Sequence, residues 1–189
     1  DLEIRGAGSL LGEIQSGHLE QVGYDTYCQL LDEVVKEMKG IKVTEETEIQ
    51  IDLNITCYIP DSYIEDSGQK IEVYQKIALC KTEDIQNVID EIIDRYGNIP
   101  QELENLIEVA RIKQLAKAQN IIKVESKQSG ILFTFDSSEN IRYDITELVK
   151  KYGDQIKFSA GIKPMIKYKT TNLKEKELIK EIKEFLQQE

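Results

Sequence analysis

The sequence predicts an α+β protein: a glycine-rich loop and helix, then a domain with one long strand, a helical middle and a small, mainly antiparallel sheet. Three observations carry this. Five of the 11 glycines fall before residue 24. Between Ile49 and Ile59, apolar residues alternate strictly with polar ones, which is the period of a half-buried strand. Helical periodicity then dominates residues 69–119, and short β-type runs separated by turns follow.

The elements justify themselves in order. Gly6, Gly8, Gly12, Gly17 and Gly23 mark tight turns rather than a regular element. Tyr27, Leu30, Leu31, Val34, Val35 and Met38 then share one helix face. Asp25 lies near that helix's start, Lys36 and Lys39 near its end, and Gly40 stops it. A polar connection with Glu45 and Glu46 marks a boundary, giving expected parts 1–47 and 48–189. The long strand runs from Ile49 until Pro60 ends it. Helices are expected over 69–79, from Thr82 as N-cap to about Tyr96 with Gly97 as stop, and from Pro100 at the first helical position to about Gln119, with Asn120 after it. Runs 121–125 and 131–135 form a hairpin around Gln128, Ser129 and Gly130. Short strands over 141–143, 156–159 and 165–169, a helix over 146–152 stopped by Gly153, and an amphipathic helix over 173–186 complete the chain.

Composition narrows the function. With 31% charged and 40% hydrophobic residues, the chain is neither collagen-like nor of disordered composition. Its apolar runs fall short of the roughly 18 residues of a membrane helix, and no secretory signal pattern opens it. It begins without Met, in what reads as the middle of an element, and is expected to be a fragment. Cys28, Cys57 and Cys80 form no C-x-x-C pair and read as reduced thiols of a cytoplasmic protein. His18 is the one histidine, too few for the usual zinc sets. The net charge of −11 disfavours a free-standing binder of the DNA backbone; −6 of it falls in residues 1–47 and −5 in 48–189.

The candidate chemistry is sparse. The Gly6, Gly8 and Gly12 run invites a phosphate-loop reading, but its third glycine is one residue late for G-x-G-x-x-G, and no G-x-x-x-x-G-K-[ST] occurs. A small standalone ligand- or nucleotide-binding domain using this segment is therefore the alternative reading. Asp32 and Glu33 sit within a helical pattern and read as solvated carboxylates, and a Ser-His-Asp triad would have to use His18. Arg5, a planar donor fork, and Gln15, a donor and acceptor, lie within the glycine cluster. From composition, sensing a partner's backbone or a phosphate and merely capping a turn are equally good readings of them. The lysines between Lys163 and Lys183 offer a DNA-binding alternative, but Glu175, Glu177, Glu181 and Glu184 interleave with the later ones, as on a solvated helix face.

Residues 1–17, Asp-Leu-Glu-Ile-Arg-Gly-Ala-Gly-Ser-Leu-Leu-Gly-Glu-Ile-Gln-Ser-Gly, resemble the translocation motif shared by RecG helicases and bacterial transcription-repair coupling factors. The continuation through Leu31, the stretch from Tyr58 to Ile64, and Asp94-Arg95-Tyr96-Gly97 resemble the coupling factors specifically. The resemblance implies a whole protein that is an ATP-dependent, superfamily 2 translocase on double-stranded DNA, using ATP and Mg²⁺. It would displace stalled RNA polymerase and recruit UvrA for nucleotide excision repair. Arg5 and Gln15, with Gly6, Gly8 and Gly12 shaping the loop, would couple ATP hydrolysis to movement. The part after residue 47 would be a regulatory domain that masks the UvrA-binding region of its own protein. The fragment itself, without ATPase motifs, is expected to be no enzyme and to hold no cofactor or metal.

Overall fold

The computed structural model describes residues 49–170 and 173–188. The glycine-rich turns, the helix expected over 24–39, Cys28 and His18 lie outside them. The described residues divide into two compact units: 56–110, and 49–55 with 111–188.

The first unit is helical. Helix α1 spans Ser67–Leu79, α2 Ile85–Tyr96 and α3 Gln101–Ala118; α3 continues past the end of this unit at Ala110. The Asp66 side chain caps α1 by accepting from Gln69 N–H at 2.8 Å. Gly97 ends α2 at φ 90° and donates its N–H to Ile93 O, a conformation that glycine adopts without a Cβ clash. Thr82 begins a short 3-10 turn, Thr82–Asp84, rather than capping α2 with its side chain. Pro100 stands just before α3, its carbonyl accepting from Leu103 and Glu104 N–H at 3.1 and 3.0 Å. It thus sits one position earlier than expected, at the N-cap. The core is almost entirely aliphatic: Ile59, Ile64, Val73, Ile77, Ile85, Ile92, Leu103, Leu106 and Ile107 are buried. Polar ties fix it from within. Ile59 N–H donates to the Tyr74 hydroxyl at 2.9 Å. Asn105, 2% exposed, donates to Thr56 O at 2.9 Å and accepts from Gln101 at 2.9 Å.

The second unit is a five-stranded sheet with helices. Its strands are β1 (Gln50–Asp52), β2 (Ile121–Lys127), β3 (Gly130–Phe135), β4 (Ile156–Ser159) and β5 (Met165–Lys169), in the order β1-β2-β3-β5-β4. β1 runs parallel to β2 and the other pairings are antiparallel, as the expected mainly antiparallel sheet requires. Helices α4 (Ile145–Tyr152) and α5 (Glu175–Leu186) complete it. Asp144 caps α4 through Thr146 and Glu147 N–H, and Gly153 at φ 55° closes it. Asn120, at φ 58°, follows α3. Its core adds rings to aliphatic side chains such as Val124, Ile166 and Ile182: Phe133 stacks on Phe185 at 4.3 Å, and Tyr143 meets Phe135 edge-on at 6.1 Å.

Two expectations about strands are also corrected. The long strand over 49–59 forms a ladder only at Gln50–Asp52. The burial alternation continues beyond it, but Ile55 N–H turns back to Leu53 O at 2.8 Å and Asn54 N–H goes to the Ser126 side chain at 2.7 Å. Periodicity reports which side of an extended segment is buried, while a strand also needs a neighbour, and β2 ends in its hairpin turn at Lys127. Residues 141–143 form no strand. β3 is already flanked by β2 and β5, and Tyr143 turns inward, its hydroxyl donating to Leu186 O at 3.2 Å.

Candidate interaction surface

In the helical unit the two motif stretches after residue 47 come together. Pro60 ends the extended run, and its carbonyl accepts from Tyr63 and Ile64 N–H at 3.0 and 3.1 Å. This turn aims Tyr63 at the end of α2, where its hydroxyl donates to Gly97 O at 2.7 Å. The Tyr63 and Tyr96 rings lie 6.0 Å apart, tilted by 56°. Burial, then the neighbouring Tyr96, raises the Tyr63 pKa above its ordinary value. The Tyr96 hydroxyl itself is buried without a hydrogen-bond partner among the described residues.

Charge surrounds this node. The Arg95 guanidinium lies 5.2 Å from the Tyr96 ring centroid, within cation–π range, and 3.6 Å from Glu72 on α1. Lys76 pairs with Glu72 at 3.6 Å and with Glu91 on α2. Its hydrogen bond to Glu91 is the main reason its pKa is raised. Such exposed pairs add little stability, about 0–1 kcal/mol each; what they provide is a fixed pattern of charge across two helices. Leu79 on α1 and Ile93 on α2 remain 59% and 40% exposed. Both stand on the two helices that carry these charges.

Residues 53–146 match the TRCF domain family. The chain belongs to that family. It is 38% identical over 161 residues to the transcription-repair-coupling factor of Bacillus subtilis, covering 82% of this chain and 14% of that protein. It is 40% identical over 146 residues to the Staphylococcus aureus (strain USA300) protein of the same name, covering 75% and 12%. The chain thus spans about a seventh of the length of these curated relatives. Among solved structures it is similar to the C-terminal domain of a transcription-repair coupling factor, with a TM-score of 0.61 and 23% identity over 74% of this chain and 91% of that one. That likeness shows the α+β fold. The TRCF match takes in the Tyr63–Gly97 node, whose parts stand in the two stretches singled out in the sequence.

The loop residues of the expected coupling motif, Arg5, Gln15, Gly6, Gly8 and Gly12, lie outside the described residues. Among the described residues no group of His, Cys, Asp and Glu is arranged to hold a metal ion, and no helix is long and apolar enough to cross a membrane. Sequence reading placed the Tyr63 and Gly97 stretches but not their contact, because nothing in either stretch records that the turn at Pro60 faces the end of α2. It missed Glu125 altogether. That side chain is 11% exposed and takes Lys123 at 3.1 Å and Lys127 at 3.0 Å. Burial pushes its carboxyl pKa up, but the hydrogen bonds from Lys127 and Lys123 outweigh this and hold it below the usual range. The signal was present, since 123, 125 and 127 share one face of a strand.

Proposed function

We propose that the chain is the C-terminal regulatory part of a transcription-repair coupling factor, and that it acts by protein–protein contact, masking the UvrA-binding region of the same polypeptide. The carrying observation is the family match across residues 53–146 together with the node it contains, where Tyr63, Gly97 and Arg95 hold two charged helices with exposed Leu79 and Ile93. In this reading the intact protein is an ATP-dependent translocase on double-stranded DNA that displaces stalled RNA polymerase and recruits UvrA. A mask of this kind responds only when its ligands bind the open and closed states with different affinity. ATP and Mg²⁺ would be held by segments outside this chain, which carries no G-x-x-x-x-G-K-[ST].

The test is binding of the isolated UvrA-binding region to the 189-residue chain, followed by calorimetry. Binding that competes with UvrA and weakens in Arg95→Glu is expected; no binding overturns the masking role. For the loop, Arg5→Ala or Gln15→Ala in the intact protein is expected to leave ATP hydrolysis while abolishing displacement of a DNA triplex. Unchanged displacement removes the coupling role. Micromolar binding of ATP, GTP or NAD to the chain alone would favour the nucleotide-binding alternative instead.

A further inference from the structure

The strand registers sort the sheet into two unlike faces. Ile51, Val124, Phe133 and Ile166 lie on one, all buried. On the other, one row crosses all five strands as Asp52, Glu125, Leu132, Lys167 and Lys157. Lys123 and Lys127 stand two residues either side of Glu125, and Lys169 two residues beyond Lys167. Five lysines therefore gather on one face of a chain whose net charge is −11.

The charge on that face is not evenly balanced. Glu125 occupies Lys123 and Lys127. Among the described residues no carboxylate pairs with Lys157, Lys167 or Lys169. Lys157 and Lys167 are direct cross-strand partners, an arrangement of like charges that destabilises a sheet by itself. Beside them Leu132 and Met165 are half-buried, while Lys157 and Lys169 are exposed.

We propose that the β5–β4 half of this face docks an acidic segment of another protein that carries an apolar side chain. Its carboxylates meet Lys157, Lys167 and Lys169, and its apolar group seats over Leu132 and Met165. Methionine suits such a seat because its flexible thioether adapts to the shape it meets. A nucleic acid fits less well. The strands present no aromatic side chain on this face for base stacking and no arginine fork for phosphate. The inference stands apart from the masking contact, which concerns the helical unit.

The test titrates the ¹⁵N-labelled 189-residue chain with a short synthetic peptide of alternating Glu and Leu, with a Glu and Ser version of that peptide, and with a short DNA duplex. Expected are amide shifts confined to β3, β5 and β4, and binding that weakens as salt rises. Affinity should fall about tenfold in the double variant K167E/K169E, the loss of roughly 1.4 kcal/mol, with a melting temperature that is not lowered, because the new carboxylate at 167 faces Lys157. The Ser peptide and Met165→Ser should each weaken binding several-fold. No binding of the Leu peptide, shifts that map elsewhere, or indifference to K167E/K169E overturns the proposal. So does a duplex that outbinds the peptide and is lost in the same variant. Lys157→Glu gives an independent reading: relief of the Lys157–Lys167 repulsion should raise the melting temperature while weakening the peptide, and a variant that leaves both unchanged counts against the site.

Discussion

The two units solve the same problem, one continuous core each, with different materials. The sheet unit buries large rings: Phe133, Phe135 and Phe185 are each 1% exposed or less, and a hydrogen-bonded ladder satisfies the strand backbones. The helical unit buries aliphatic side chains, with Tyr74 the one buried ring there, and fixes its non-helical segment by polar ties at Tyr74, Asn105 and Tyr63. Packing of rings fails by leaving a cavity, whereas a buried polar tie fails by weakening the satisfaction of a buried polar group. The sheet unit should therefore be sensitive to volume and the helical unit to hydrogen bonding.

Variants sharpen that contrast in descending order. Phe185→Ala removes a ring that meets Phe133, Tyr143, Tyr152 and Tyr168. It should cost the sheet unit about 3–5 kcal/mol, read as lost hydrogen-exchange protection in β2, β3 and β5. Gly130→Ala comes next. Gly130 has φ 149°, and a Cβ there would lie 2.0 Å from Tyr168 O. The backbone conformation alone costs about 1–3 kcal/mol, and the β3–β5 pairing must also shift. Asn105→Ala removes the buried hydrogen bond to Thr56 O and should cost the helical unit about 1–3 kcal/mol, seen in a urea melt. If Asn105→Leu, which fills the space without the bonds, restored stability, the reading of that unit as polar-tied would be wrong.

The smallest effect is a slope in alkali. Burial, then a hydrogen bond with Glu181, pushes Tyr168 up to about 12 from 10.0. Burial raises Tyr143 as well. Between about pH 10 and pH 12 the unfolded chain releases these protons while the folded sheet unit keeps them, so its stability falls as pH rises. The urea midpoint should drop across that window, and Tyr168→Phe should flatten the drop.

Local chemistry made much of this fold legible. The hairpin at Gly130, the stops at Gly97, Asn120 and Gly153, and the apolar face of α5 were all readable, because each follows from residues within a turn or two. What was not readable depends on distant partners. Nothing between Ile49 and Ile59 states that β2 accompanies it only as far as Asp52. Tyr143 reads as a strand residue until Leu186 O is placed beside it. The candidate surface divides the same way. The Tyr63 and Arg95 stretches were visible as motifs, but their junction at Gly97 required the turn at Pro60. The lysine face needed the register of three strand pairs, which no single run of sequence contains.

The three residues of β1 have a consequence for how the chain is made. Gln50, Ile51 and Asp52 pair with Lys123, Val124 and Glu125, so all of the helical unit is threaded between one strand and its neighbour. On a ribosome that helical unit emerges complete before β2 exists, and domains generally fold as units during synthesis. β1 must then wait as an unmatched edge, and the closure of so wide a loop makes its docking a late and slow event. A pause in translation before Ile121 would lengthen the time that edge stands open.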